Sequence, residues 1–125
     1  MLQVTTDFFV LPKEDQAIET DMLVADDVFA KSILVPKEDT YVPQHSHRYD
    51  HATLVAHGAV DVWVNGEYRG IFKAPEIIMI QAGTKHLFRT LEDDTVIVCI
   101  HNASRPDVAA VVEEHRPMDL STKNV

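Results

Sequence analysis

Short apolar and β-branched runs recur along this chain roughly every ten residues, broken by Pro, Gly, Asp and Asn. Helical periodicity is nearly absent. The pattern therefore predicts an all-β sandwich or barrel. Asp7-Phe8-Phe9-Val10-Leu11 reads as an early strand, stopped by Pro12-Lys13-Glu14-Asp15. Ala17 to Val24 reads as a second, so that N-terminal strands occupy about 5–24. Val28 to Val35 forms a stronger run, ended by Pro36, and Lys37-Glu38-Asp39-Thr40 is a polar turn. Tyr41-Val42-Pro43 follows; Pro43 has no N–H to donate and belongs at a strand start or edge.

Ala52-Thr53-Leu54-Val55-Ala56 is strand-like, and His57-Gly58 marks a turn or kink. Val60, Val62 and Val64 alternate with Asp61 and Trp63, so the valines share one face of a strand and the other two share the opposite face. Trp63 could line a cavity, sit at a subunit contact, or simply pack under a neighbouring strand. Asn65-Gly66 is a strong signal for a tight hairpin, and Tyr68 to Phe72 returns from it. Glu76 to Ile80 is almost wholly apolar, as for a strand buried on both faces. Gln81 to Lys85 turns; His86-Leu87-Phe88-Arg89-Thr90 and Thr95 to His101 are the last strands. One helix is expected over about 105–116: Ser104-Arg105-Pro106-Asp107 has capping-box-like spacing with Pro in the first turn, Val108, Val111 and Val112 make an apolar stripe, and Pro117 stops it. Met118 to Val125 reads as a loose tail.

The chain has 125 residues, one domain's worth over 1–125, and a chain of this size buries about two thirds of its unfolded surface. No apolar run approaches the roughly 18 residues that cross a bilayer. The N-terminus, Met1 to Asp7, lacks the basic start and long apolar stretch of a secretion signal, so a cytoplasmic location is expected. Net charge is -9, with 20 acidic residues against 11 Lys and Arg. That balance argues against nucleic acid and against an anionic membrane surface as partners, because both require a basic footprint. Cys99 is the single cysteine, so no internal disulfide forms; inside Val96 to Ile100 it reads as a buried, inert thiol.

The candidate chemistry lies in Gln44-His45-Ser46-His47-Arg48-Tyr49-Asp50-His51, with a distant His86. On a strand, His45 and His47 would project from one face, and His51 follows within reach if the strand bends. Imidazole is the commonest side-chain metal ligand and binds while neutral. The spacing H-x-H-x-x-x-H supports a mononuclear metal site; an exposed histidine-rich loop is the alternative. His57 and His115 read as solvated residues, and His101, at the end of a strand, as a possible pocket residue.

The middle of the chain, about 30–101, resembles the cupins, a family with a small antiparallel β-barrel (a double-stranded β-helix, jelly-roll-like). Their first motif, G-x5-H-x-H-x3,4-E-x6-G, is matched by His45, His47, His51 and Gly58; their second, G-x5-P-x-G-x2-H-x3-N, by Gly83 and His86. Asp39 stands in the first glycine slot, His51 in the glutamate slot, Ala74-Pro75 where the second motif usually has its opening glycine, Gln81 in the proline slot and Thr90 in the asparagine slot.

Taken residue by residue, the resemblance implies that His45, His47 and His86 coordinate a metal, with His51 in place of the usual glutamate, as in four-histidine cupins. Four neutral ligands leave the ion's full charge and two open positions. Such a donor set disfavours Mg²⁺ and Ca²⁺ and suits Fe, Ni, Cu or Zn, with Mn also admissible. Asp50 is a candidate acceptor for a ligand's second nitrogen, and Gln81, Tyr49 and Thr53 are candidates to face the cavity. The implied function is a metalloenzyme acting on a small oxygenated substrate, an O₂-dependent dioxygenase first. A redox-neutral isomerase or lyase and a non-catalytic small-ligand module are the alternatives. Cupins commonly pair through an edge sheet, so a homodimer is expected, with Phe8, Phe9 and Val10 suited to strand exchange.

Overall fold

The computed structural model describes residues 18–44 and 46–115, and among these described residues alternation of inward and outward side chains runs along nine strands. The expected strand at Asp7 to Leu11 and the tail after Arg116 lie outside the described residues. The strands are β1 (Glu19–Ala25), β2 (Val28–Val35), β3 (Tyr41–Gln44), β4 (His51–His57), β5 (Ala59–Val64), β6 (Glu67–Lys73), β7 (Glu76–Ile80), β8 (His86–Thr90) and β9 (Thr95–Asn102). One helix, α1 (Pro106–His115), follows them. They form a five-stranded sheet in the order β1-β2-β9-β4-β7 and a four-stranded sheet in the order β3-β8-β5-β6, antiparallel throughout. The expected all-β antiparallel architecture with a short C-terminal helix is what the chain adopts.

The core lies between the sheets. Ile33, Val35, Val55, Ile80, Ile97 and Cys99 from the larger sheet meet Val42, Val60, Val62 and Phe88 from the smaller one. Burial pushes the Cys99 thiol above its usual pKa, which keeps it protonated and inert. Pro43 sits on β3, an edge strand, where its missing N–H is tolerated. The Asn65-Gly66 turn has φ of 50° and 81°, the left-handed pair that a two-residue hairpin requires.

Two outward faces depart from the sequence reading. β7 is an edge strand, not a strand buried on both faces: Ile78 and Ile80 turn inward while Ile77 and Met79 are 69% and 65% exposed. Register puts Ile77 beside Leu54, Leu54 beside Val98, Met79 beside Ala52, and Ala52 beside Ile100. The larger sheet thus carries an aliphatic row on its outer face. On the smaller sheet, Asp61 faces outward with Trp63 yet is only 3% exposed. The Arg89 guanidinium pairs with its carboxylate, and Tyr68 donates a hydrogen bond to it at 2.6 Å. Trp63 packs under Arg89, whose guanidinium carbon lies 5.8 Å from a Trp63 ring centroid.

The turns that carry the motif slots are left-handed. Asp39, where cupins have glycine, has φ 60°, a conformation Asp tolerates, and its N–H donates to the Thr90 carbonyl at 2.7 Å. Gly58 has φ 81°, and a Cβ there would overlap Thr95 Oγ1 and lie 3.1 Å from Thr95 Cα. Gly58→Ala is therefore expected to destabilise by about 2–4 kcal/mol, the sum of left-handed strain and overpacking against backbone. The midpoint of urea unfolding should fall; an unchanged midpoint would contradict this account of the turn.

Candidate metal centre

Three described histidines converge at one end of the space between the sheets, with a fourth beside them. β3 is described as far as Gln44, which pairs with His86, the first residue of β8, its partner among the described residues. His47 lies in the connection to β4 and not on a strand as the spacing had suggested. That connection is anchored: Gly83 N donates to the His47 carbonyl at 2.7 Å, and Ala82 N to Asp50 Oδ1 at 2.8 Å. Asp50 thus clamps two loops together.

His51 opens β4 and His86 opens β8. His101 lies near the end of β9, one step beyond the paired Ala52 and Ile100, which places it beside His51. Their ring centroids are 4.5 Å apart. His47 lies 5.4 Å from each of them, centroid to centroid. One ligand nitrogen from each of His47, His51 and His101 falls within 4.8 Å of the others. Two imidazole nitrogens on a single ion stand at most about 4.2 Å apart, so small side-chain rotations suffice to close the set. His86 flanks it, with its ring centroid 6.2 Å from that of His51. His45 lies outside the described residues.

Burial sets the charge state of these rings. The desolvation of a buried imidazolium holds His86 and His101 at about 4, with repulsion from His51 and His47 adding to it. Lys31, on β2, also disfavours protonation of His101. His51 is lowered chiefly by burial. All three rings are neutral at physiological pH, the form that binds metal. Hydrogen bonds select their tautomers. His51 Nδ1 faces the Ala52 carbonyl at 3.4 Å, and a carbonyl only accepts, so this long contact leaves the Nε2 lone pair free. His101 Nδ1 lies 3.1 Å from the Tyr49 hydroxyl. His86 is 2% exposed, and neither of its nitrogens meets a partner at hydrogen-bonding geometry among the described residues. The Thr84 backbone only offsets part of the burial effect.

A cleft of about 440 Å³ adjoins this end of the molecule. Val64, Phe72, Ile78 and Ile80 supply apolar walls, and Arg69, Gln81 and Thr84 supply polar groups. Register ties it to the histidines, since Ile80 pairs with His51 and Val64 with His86, and paired residues point to the same face. The donor set fits a transition metal: three imidazoles converge, and a fourth is buried with unpartnered nitrogens among the described residues.

Among the residues singled out in the sequence, His47 and His51 come together and His86 stands beside them. His101 is the candidate ligand that spacing undervalued. Its signal was its parity with Ile97 and Cys99, both inward on β9. Thr53 is buried and donates to Cys99 Sγ at 3.8 Å, within the core. Gln81 lines the cleft, and Tyr49 bonds a histidine. His57 lies apart, with Nδ1 2.7 Å from the Asp94 carbonyl.

No protein-family model matches this sequence, and no curated protein does. Solved structures do resemble it. KdgF from Halomonas sp. is 18% identical over 79% of this chain and 97% of that chain, with a TM-score of 0.59. An RmlC-like cupin family protein with a double-stranded β-helix fold from Methanocaldococcus jannaschii is 16% identical over 79% of this chain and 93% of that one, TM-score 0.57. A cupin 2 domain-containing protein from Halorhodospira halophila is 13% identical over 90% and 88%, TM-score 0.60. At these identities the likeness is one of fold: the chain has the cupin double-stranded β-helix fold. No helix among the described residues is long and apolar enough to cross a membrane.

An unpartnered buried imidazole is a liability without a ligand to bind. His86→Leu is expected to leave the metal-free protein as stable as wild type or more so. The unfolded histidine takes up a proton near 6.5 while folded His86 does so only at about 4, so wild type loses stability as pH falls through that window. Thermal melts of metal-free protein from pH 7 to 4 should show a shallower decline in the variant. A steeper decline, or a large loss at pH 7, would contradict the assignment.

Proposed function

We propose that this protein is a metalloenzyme of the cupin fold that holds one divalent transition-metal ion and acts on a small oxygenated molecule with O₂ as co-substrate. The observation that carries the reading is the convergence of His47, His51 and His101 beside an apolar cleft. His86, which faces the same space, is the proposed fourth imidazole, and His45 is the further ligand implied by the first motif. The all-imidazole set favours Fe, Ni, Cu or Zn over Mg²⁺ and Ca²⁺, with Mn admissible. A bound ion would supply Lewis acidity and a place for dioxygen beside the substrate. The chain's own part is to bind and orient: Phe72, Ile78 and Ile80 limit water, while Gln81 and Thr84 offer hydrogen bonds to substrate oxygens. The acidic chain leaves nucleic acid and anionic membranes outside the proposed partners.

Protein purified without added metal is expected to carry about one equivalent of a transition metal. His47→Ala, His51→Ala and His101→Ala should each weaken Co²⁺ binding by more than about 10-fold, with the same substitution at His86 and His45 ranking the remaining ligands. Oxygen uptake with a panel of catechols and diketones tests the reaction class. Turnover without oxygen uptake would replace the dioxygenase with an isomerase or lyase. A metal-free wild type that takes up no Co²⁺ at neutral pH would end the reading.

We also propose that a second copy of the chain covers the outer face of the larger sheet. Leu54, Ile77, Met79, Val98 and Ile100 make its β7-β4-β9 part apolar in a chain of net charge -9, with the acidic Glu19 and Asp21 set off on the far edge strand β1. Light scattering should give twice 14.1 kDa for wild type and 14.1 kDa for Ile77→Lys/Met79→Lys. A monomeric wild type would contradict this.

A further inference from the structure

We infer that Tyr49 is the positioning residue of the histidine centre, and that α1 serves the centre through it. The inference rests on the metal-site reading above and names how that site is held. Tyr49 touches two of the three converging histidines with different parts of its side chain. Its hydroxyl lies 3.1 Å from His101 Nδ1. Its ring stacks on that of His47, with centroids 5.0 Å apart and planes inclined by 19°. A hydroxyl that accepts the His101 Nδ1–H would leave the Nε2 lone pair of His101 for the ion. His51 is oriented in the same sense by the Ala52 carbonyl. Metal-bound histidines take such a partner on the second nitrogen as a rule. The stack fixes the plane of His47, which no strand holds.

Tyr49 is held from the C-terminal side. The Arg105 guanidinium carbon lies 4.8 Å from the Tyr49 ring centroid, and Arg105 Nε is 3.3 Å from Asp107 Oδ1 in the first turn of α1. Val108 and Phe29 are buried together, with Tyr49 and Ala103 packed against them. Phe29 also stacks on the other side of the same problem, the His101 ring, at 5.7 Å. The segment from Ala103 to Val108 therefore backs Tyr49 and Phe29, the two rings that contact His47 and His101. Residues that no metal touches set the geometry of those that it does.

Tyr49→Phe keeps the ring and its stack and removes only the hydroxyl. It is expected to weaken Co²⁺ binding by about 10–100-fold, measured by competition with a chromophoric chelator, and to change the ligand-field absorption of bound Co²⁺. Tyr68→Phe, which removes a hydroxyl on the outer face of the smaller sheet, should keep wild-type affinity and spectrum. Wild-type affinity and spectrum in Tyr49→Phe would overturn the positioning role while leaving the histidine site standing. Equal loss in Tyr68→Phe would show a general stability effect and also overturn it. A wild type that binds no Co²⁺ would overturn both, and that outcome is separate from the other two.

Discussion

The constraint on which this structure turns is the burial of neutral imidazole. A neutral histidine carries one donor and one acceptor, and in water both are satisfied. Here three strand-borne rings are drawn between two sheets, and His86 keeps neither nitrogen paired among the described residues. A core built only for stability would place Leu or Phe at such a position. Retaining the ring makes sense when something binds its nitrogens, and the neutrality imposed by burial is the state in which they bind.

The fold serves that arrangement by bringing four separate pieces of chain to one end. The larger sheet contributes His51 and His101, the smaller sheet contributes His86, and the loop between β3 and β4 contributes His47. Strand pairing fixes the first three with little freedom, because register in a sheet with a buried face cannot slip without turning every side chain over. His47 has no ladder to hold it. Its position depends on the Gly83 N–H bond to its carbonyl, on the Asp50 side chain that accepts from Ala82 N, and on the ring of Tyr49. The apolar cleft then follows from the same geometry, since the residues paired with His51 and His86 are its walls.

Much of this was legible in the chain. Strand alternation is local, so Val60, Val62 and Val64 announced an inward face, and Asn65-Gly66 announced its hairpin. The spacing of His47 and His51 pointed to their chemistry before any coordinates. His101 was harder to see because its neighbour in space, His51, is distant in sequence, and the pairing of β4 with β9 is a property of topology. Ile77 and Met79 misled for a related reason: an apolar run reports that a face avoids water, and says nothing of which partner covers it. Asp61 carries a similar lesson, since only its contacts with Arg89 and Tyr68 explain a carboxyl group that is outward and still buried. Asp39 shows the reverse, a departure from motif that preserves the backbone conformation the slot requires.

The most direct measurement of the central claim is X-ray absorption at the edge of Co²⁺ bound to wild-type protein. The account predicts a first shell dominated by nitrogen at about 2.0–2.1 Å, with the outer-shell scattering of at least three imidazole rings, and a loss of one ring's contribution in His101→Ala. A first shell of oxygen without imidazole scattering, or one unchanged by His101→Ala, would contradict it.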